Sequence, residues 1–352
     1  MSQEYSGKQR VSAAFKKTFT DKDPELDRVP AYIFTGACNA KLIGASVSEL
    51  LQDHKVFTRA QIAAYERYKP DIMIMMWDLS MDIEAMGNEL RYPEDSMSVV
   101  VSEFLDDKSN FSKLQVPDPH KDGRIPGYLE ACAEVKNAVT DAPVSGVIAG
   151  PWTIAMGLRG ANNLIVDTKM DPDFVHELMK VSTEATKQFT DALNEIGIGV
   201  GYSEAPASCN LISPTMYRDF VFPYHKELVT YFKEKRVGVG IHICGNANPI
   251  LDDMVATGAS NISVDSGTDL GKAAEAARGK AVLIGNVPTE CFLAESKDVM
   301  RDAIQKCLDQ VVDDSGYILA PGCEVPTIAP PEKIDWFMEL ASEVGSNYYS
   351  GF

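Results

Sequence analysis

Short apolar runs recur along the chain, and each leads through glycine, proline or polar residues into a longer segment with a helical pattern. Within a run the apolar residues are largely continuous, which is typical of strands buried on both faces of a parallel sheet. Eight runs are predicted as strands: 29–34, 72–77, 144–149, 197–202, 238–243, 261–264, 281–284 and 317–320.

Between these runs, apolar residues fall three and four positions apart, as on the buried face of a helix. The clearest helical segments are 175–196, 214–235 and 297–313. The alternation of strand and helix predicts an α/β fold, and about eight repeats favour a single (β/α)8 barrel. An open, doubly wound sheet is the second possibility.

Two long segments interrupt the alternation, so insertions are expected after strands 1 and 2. Residues 35–71 separate the first two predicted strands, and residues 78–143 separate the second from the third. Within the latter, residues 88–127 combine four prolines with many charges, which predicts an irregular insertion containing a hairpin. No repeat or linker divides the chain, so residues 1–352 are interpreted as one domain.

Composition narrows the functional classes. The 352 residues are 45% hydrophobic and 24% charged, which is typical of a folded soluble domain. The net charge of −18 disfavours nucleic acid and anionic membranes as partners. The amino terminus lacks an apolar signal core, and no run has the length of a membrane span. A cytoplasmic location is expected.

Seven scattered cysteines do not suggest a disulfide framework, but two of them end predicted strands at positions with unusual chemistry. Reactive groups of such barrels lie where strands end. His242 and Cys244 are two apart and share one face of the fifth strand, and Cys323 ends the eighth. One imidazole and two thiolates suit a zinc ion with a fourth position free for substrate. The alternative is three ordinary buried side chains.

Other strand-end residues have weaker claims, each with a structural alternative. Glu204 and Asp78 are candidate catalytic groups, although Glu204 can equally be a hydrogen-bonded brace and Asp78 a helix cap. Asp265 can contact and orient His242 without binding the metal, or it can merely shape its own turn. Glu324 can brace the turn beside Cys323. The remaining candidates are expected to line the substrate site, with a turn-forming role as the alternative for Asn286: Phe34, Trp77, Trp152, Tyr202 and Asn286.

Several motifs together resemble the uroporphyrinogen decarboxylase superfamily, and more closely its zinc-dependent branch of cobamide-linked methyltransferases. The resemblance runs over nearly the whole chain. It rests on these segments: Arg28-Val-Pro, Asp82-Ile-Glu-Ala-Met-Gly, Ile212-Ser-Pro, Phe222-Pro-Tyr, His242-Ile-Cys-Gly and Pro321-Gly-Cys-Glu-Val-Pro.

The resemblance implies a decarboxylase-like barrel, zinc held by His242, Cys244 and Cys323, and a corrinoid (cobalamin) cofactor carried by a separate partner protein. The implied activity is methyl transfer between the cobalt and a substrate heteroatom. Decarboxylation is a further alternative, but the decarboxylases carry an arginine-rich segment after the first strand. Residues 34–39 contain no arginine here.

Two substrates fit this implied activity: a small methylated compound, or a thiol such as coenzyme M. A sulfonated thiol favours a cationic anchor, and the strand ends supply little beyond Arg159. They do supply four aromatic residues that can form a wall. The sequence therefore favours demethylation of a methoxylated, aromatic compound, with methyl transfer to a thiol as the alternative.

Overall fold

A computed structural model describes residues 5–20, 26–311 and 316–350 of the chain. Its strands are β1 Met73–Met76, β2 Glu89–Arg91, β3 Val99–Ser102, β4 Val144–Ala149, β5 Gly199–Ser203, β6 Val239–Ile243, β7 Asn261–Val264, β8 Val282–Val287 and β9 Tyr317–Pro321. Its α-helices are α1 Gly7–Phe19, α2 Val47–Gln52, α3 His54–Tyr68, α4 Met81–Ala85, α5 Ile125–Ala138, α6 Pro151–Arg159, α7 Ala161–Met170, α8 Pro172–Glu195, α9 Pro214–Met216, α10 Phe222–Glu234, α11 Leu251–Ala256, α12 Leu270–Ala277, α13 Lys297–Gln310 and α14 Pro331–Ser350.

Seven parallel strands form one curled sheet in the order β1-β4-β5-β6-β7-β8-β9. Neighbours in the sheet follow one another along the chain, apart from the hairpin strands β2 and β3. An open, doubly wound sheet requires a reversal of strand order, and the described strands contain none. The predicted barrel class is confirmed.

The first predicted strand, residues 29–34, differs from the others because it forms only an isolated bridge between Ala31 and Leu319. Tyr32 N–H donates to Leu319 O at 3.1 Å, and Asp71 N–H donates to Ala31 O at 2.9 Å. The extended segment therefore lies between β9 and the start of β1, in the eighth position of the barrel. Pro30 has no N–H to donate, which limits regular pairing here.

Alternation along the strands separates two apolar cores. One lines the inside of the barrel, and Phe34, Ile74, Val147 and Ile284 belong to it. The larger core lies between the strands and the surrounding helices. Because successive side chains of a strand point to opposite faces, a one-residue offset decides which core a side chain enters.

Helix α1 lies across the amino-terminal ends of the strands. Its residues Val11 and Ala14 pack into the core inside the barrel, and Thr18 Oγ1 accepts a hydrogen bond from Gly316 N–H at 2.9 Å. A Cβ atom at Gly316 would lie only 1.9 Å from Ala14 O, so this approach requires glycine. Helix α1 thereby covers part of the amino-terminal end of the barrel.

Three of the predicted segments that differ from the structure, or that the structure defines in more detail, lie in helices and in the insertion after strand 2. The segment 214–235 is not one α-helix: a π-helical turn, Tyr217–Val221, joins α9 to α10, because Pro223 cannot donate to the carbonyl of Asp219. Helix α13 ends at Gln310, and the predicted end at Asp313 lies outside the described residues. Residues 88–127 contain the antiparallel hairpin of β2 and β3 and a 3-10 helix, Lys108–Lys113.

Of the helices in the described ranges, none combines the length and the apolar character that crossing a membrane requires.

Candidate metal centre

Strand β6 turns two candidate ligands toward the inside of the barrel. His242 Nε2 lies 3.2 Å from Cys244 Sγ, and Cys244 Sγ lies 3.3 Å from Cys323 Sγ. Cys323 comes from the turn after β9, which Gly322 anchors by donating its N–H to Val287 O at 2.8 Å. The structure therefore brings together three residues from two strand ends that are distant in sequence.

The His242 ring is oriented by a serine on the neighbouring strand. The register of β6 and β7 places His242 beside Ser263, and Nδ1 lies 3.0 Å from Ser263 Oγ. With Nδ1–H donating to this hydroxyl, Nε2 keeps its lone pair toward the two sulfur atoms. Sequence reasoning assigned this support to Asp265 and missed Ser263, although Ser263 is two residues earlier and shares the inward face.

The two thiols share a hydrogen bond that makes them unequal acids. That bond lowers the pKa of Cys323, since the Cys244 thiol donates to its sulfur, and the nearby His242 ring contributes to the decrease. The same bond raises the pKa of Cys244, and burial adds to the increase. Cys323 is therefore the more acidic of the two thiols, and the thiolate is the form that binds metals.

The donor set fits a zinc ion. The three ligand atoms all lie within 4.8 Å of one another. Tetrahedral zinc, with bonds of about 2.3 Å to sulfur and 2.0 Å to nitrogen, places its ligand atoms roughly 3.5–3.8 Å apart. The observed 3.2 and 3.3 Å are close to this spacing. Three protein ligands leave one tetrahedral position for a substrate atom.

Asp265 and Glu324 hold the turns that carry the two thiols. Asp265 Oδ2 accepts a hydrogen bond from Gly245 N–H at 2.7 Å, directly after Cys244. Glu324 Oε1 accepts one from Ala37 N–H at 3.4 Å, and burial raises the pKa of this carboxyl to about 8. Asp265 therefore fixes the backbone beside Cys244, and Glu324 ties the turn that carries Cys323 to the segment at Ala37.

Glu204 has a full set of partners away from the sulfur atoms. Its carboxylate accepts hydrogen bonds from the N–H groups of Trp152 and Thr153 at 3.1 and 2.8 Å, and from Thr153 Oγ1 at 2.7 Å. His225 Nε2 lies 2.8 Å from Oε1. Glu204 and His225 are both fully buried. These contacts match the alternative of a structural brace, here between α6 and α10.

Asp78 is also paired with a residue that the sequence did not single out. Its Oδ2 lies 2.6 Å from Arg124 Nη2, and its Oδ1 accepts hydrogen bonds from Ser80 N–H and Ser98 Oγ. Arg124 also binds Glu84 at 2.6 Å. The carboxylate is thus neutralised by an arginine that comes from the insertion after strand 2.

Of the four aromatic residues proposed as a wall, the structure places only Phe34 against the candidate ligands. Its ring meets the His242 ring edge to face, with centroids 5.9 Å apart. The other three face the helices: Trp77 donates to Leu50 O, Tyr202 bonds Thr190, and Trp152 is buried in the outer core. The predicted wall of Phe34, Trp77, Trp152 and Tyr202 therefore does not surround the three ligands.

Asn286 and Arg159 likewise have structural partners. Asn286 Nδ2 donates to the carbonyls of Asp265 and Thr268, which ties β8 to the loop after β7. Arg159 Nε lies 2.7 Å from Asp167 Oδ2. The cation that the sequence offered as an anchor is therefore already neutralised.

Residues 8–344 match the profile of the uroporphyrinogen decarboxylase (URO-D) family. The chain belongs to the URO-D family. The resemblance predicted from the sequence motifs is thereby confirmed.

Among URO-D relatives, a methylcobamide:CoM methyltransferase of Methanosarcina barkeri is 28% identical over 88% of this chain and 91% of its own length. A uroporphyrinogen decarboxylase of Burkholderia thailandensis is 24% identical over 82% of this chain and 81% of its own. The solved structure of a methyltransferase from Methanosarcina mazei is 25% identical, covers 97% of this chain and 99% of its own, and superposes with a TM-score of 0.83.

Proposed function

We infer that this URO-D chain catalyses methyl transfer between the cobalt of a corrinoid protein and a small thiol, with zinc held by His242, Cys244 and Cys323. The observation that carries the proposal is the group of one imidazole and two thiols, whose ligand atoms lie within 4.8 Å at the strand ends. The methylcobamide:CoM methyltransferase of Methanosarcina barkeri supplies the class of reaction.

The residues of the chain have distinct parts in this reaction. His242 and the two cysteines hold the metal, and zinc in such a site lowers the pKa of a bound thiol to give a thiolate. Ser263 fixes the His242 ring by its hydrogen bond to Nδ1. Phe34, buried against the His242 ring, excludes water from one side of the group. The corrinoid partner approaches from the strand-end face of the barrel.

A thiol is favoured over a methoxylated aromatic compound by the position of the aromatic residues. The preference for a methoxyarene depended on four aromatic side chains, and only Phe34 lies against His242. Trp77, Trp152 and Tyr202 belong to the layer between strands and helices. A thiol needs no such wall, because its sulfur is itself a good zinc ligand.

Decarboxylation has less support from the described residues. A substrate with several carboxylates requires several cations, and residues 34–39 supply none. Arg159 and Arg124 are already paired with carboxylates. A pair of cysteines beside a histidine also has no evident use in that reaction.

The proposal is tested by a zinc assay combined with the visible spectrum of cobalt. Purified protein receives free methylcob(III)alamin with coenzyme M or other small thiols, and cob(I)alamin with a methoxybenzoate. We expect equimolar zinc and methylation of a thiol. In the Cys323→Ala variant, zinc affinity and the rate of thiol methylation should each fall by more than about 100-fold. Substitution of a residue that only supports a metal ligand already costs 10–100-fold.

Cys209→Ala is the matched control, because Cys209 is a free cysteine outside the ligand group. It should keep zinc and activity. Methyl transfer from the methoxybenzoate alone would contradict the thiol and restore the demethylation hypothesis. Metal-free protein that decarboxylates a porphyrinogen would overturn the proposal.

A further inference from the structure

Beneath the candidate metal centre, the barrel encloses a cavity of about 640 Å³. It extends from the level of His242 and Phe34 to the amino-terminal end, where α1 contributes Val11 and Phe15. The interior of such a barrel is normally filled by layers of side chains. A cavity in the size range of small-molecule sites therefore needs a specific cause.

The cause is a set of four glycines on two neighbouring strands. Residues 199–201 and 238–240 both read Gly-Val-Gly. Gly240 precedes the inward-facing His242 by two residues, and the register places Gly201 beside Gly240. Alternation then turns all four glycines inward, and all four line the cavity. The wall formed by β5 consequently carries no side chain at Gly199 and Gly201, whereas the side chains of Ser260 and Asn261 lie against Gly238 and Gly240.

At least one of these glycines is required neither by the backbone nor by packing. A Cβ atom at Gly201 would meet nothing within 4 Å, and one at Gly199 would come no closer than 3.7 Å to Ser145 Oγ. Neither residue has a positive φ. Glycine weakens a strand unless another group approaches it closely. The space beside Gly201 thus suits a group that is not part of the chain.

The other walls are mainly apolar, with a few hydroxyl groups near His242. Val11, Ile74, Val147, Ile284 and Ile318 supply the apolar surface. Tyr32 and Ser263 line the cavity close to His242. A slender apolar body fits these walls, because apolar surface dominates and only isolated hydroxyls orient a ligand.

Two lysines mark the outer end of the cavity. Lys8 on α1 and Lys136 on α5 both line it and are both exposed. Their Nζ atoms donate to backbone carbonyls, those of Thr140 at 2.8 Å and Ile196 at 2.7 Å. No carboxylate of the described residues forms a salt bridge with either lysine. Although the chain has a net charge of −18, two lysine ammonium groups without a salt bridge to the described residues lie at this opening.

We propose that this cavity binds a small organic anion whose apolar body lies beside the glycines of β5 and β6 and whose charged group lies at Lys8 and Lys136. Its opening is at the amino-terminal end of the barrel, opposite the strand ends that carry Cys244 and Cys323. The inference does not rest on the proposed methyl transfer, although His242, Phe34 and Ser263 belong both to the wall of the cavity and to the candidate metal centre.

The test compares two probes with the same aromatic body: 8-anilinonaphthalene-1-sulfonate, which is anionic, and N-phenyl-1-naphthylamine, which is neutral. Fluorescence titration of the full chain should give saturable, equimolar binding of the anion. Gly201→Leu, which fills the cavity, should weaken binding of both probes at least tenfold. Absence of equimolar binding, or unchanged binding by a folded Gly201→Leu variant, would overturn the proposal.

Two further variants keep the test decisive if Gly201→Leu does not fold. Gly199→Ala/Gly201→Ala adds two methyl groups without a close contact, and should weaken both probes at least threefold. Lys8→Gln/Lys136→Gln should weaken only the anionic probe, by about tenfold. Lys16→Gln, an exposed lysine of α1 that does not line the cavity, is the control and should bind both probes as the native protein does. Equal weakening of both probes by the lysine pair would refute the anionic ligand.

Discussion

The ends of β5 and β6 are neighbours in the sheet, yet their functional-site candidates point into different layers of the protein. The register pairs Ser203 with His242 and Tyr202 with Ile241. The end of β6 therefore turns His242 inward toward the sulfur atoms. The end of β5 turns Tyr202 and Glu204 outward, toward helices α8, α6 and α10. A position near a strand end is therefore not enough to place a side chain in the candidate site. The residue must also stand at one of the alternating strand positions whose side chains point into the barrel.

The largest expected effect is a loss of stability when the carboxylate of Glu204, which points away from the inside of the barrel, is removed. Glu204→Ala leaves His225 and two buried N–H groups without their acceptor. We expect the free energy of unfolding to fall by about 3–5 kcal/mol, as when one partner of a buried pair is removed. Denaturant titration measures this loss, and the zinc content of the folded protein should not change.

Glu184→Ala on α8 is the control for Glu204, because Glu184 is exposed and should change the unfolding free energy by less than about 0.5 kcal/mol. Loss of zinc by Glu204→Ala at unchanged stability would instead place Glu204 among the metal ligands.

Asp82 extends the comparison to a buried carboxyl with one unpaired oxygen. Its Oδ1 has no hydrogen-bond partner among the described residues, and burial raises its pKa from 3.8 to about 7. The folded state therefore favours the protonated acid. Its stabilising contribution is fully present below about pH 4 and is lost as the pH rises to 7, by up to about 4 kcal/mol.

Unfolding free energies of the native protein and Asp82→Asn, measured from pH 4 to 8, test this sign. The variant should gain stability relative to the native protein as the pH rises. A difference that stays constant with pH would show that Asp82 does not titrate in this range.

A smaller effect is expected from Ser263, on the inward face beside His242. Ser263→Ala removes the hydrogen bond that orients the His242 ring. If zinc is bound as proposed, its affinity should fall about 10–100-fold, as for other residues that orient a metal ligand. Competition with a chelator measures the affinity. Ser260→Ala, a serine at the start of the same strand, should leave it unchanged.

The smallest effect is expected from Tyr202→Phe. The change removes only the hydrogen bond between the tyrosine hydroxyl and Thr190 Oγ1 on α8. We expect the unfolding free energy to fall by about 1 kcal/mol, with kcat/KM unchanged. A raised KM at unchanged stability would return Tyr202 to the substrate site.

The fold was largely predictable because continuous apolar runs and helical spacing repeat along the chain. The differences arise where proline removes a backbone donor. Pro30 limits the first predicted strand to an isolated bridge, and Pro223 interrupts the predicted helix over 214–235 with a π-helical turn. Neither proline contradicts the apolar pattern, so the pattern alone does not reveal the interruption.

The candidate site was predictable in part. The spacing of His242 and Cys244 on one strand face implies that they converge, and the order of strands in a closed barrel brings in Cys323. Ser263 and Arg124 were missed, because their relevance depends on which residues stand beside them. Ser263 faces His242 only through the register of β6 and β7, and Arg124 reaches Asp78 across 46 residues of chain.

The sequence by itself determined the barrel, the family and the donor atoms at the strand ends, because periodicity and residue type are local properties. The tertiary structure decided which strand-end residues face the inside of the barrel, since that depends on register between strands. In the tertiary structure Glu204 forms a brace with His225, and Phe34 is the only one of the four candidate aromatics that lies against His242. A cavity lies beside four glycines. These outcomes follow from contacts between segments distant in sequence, which no local pattern records.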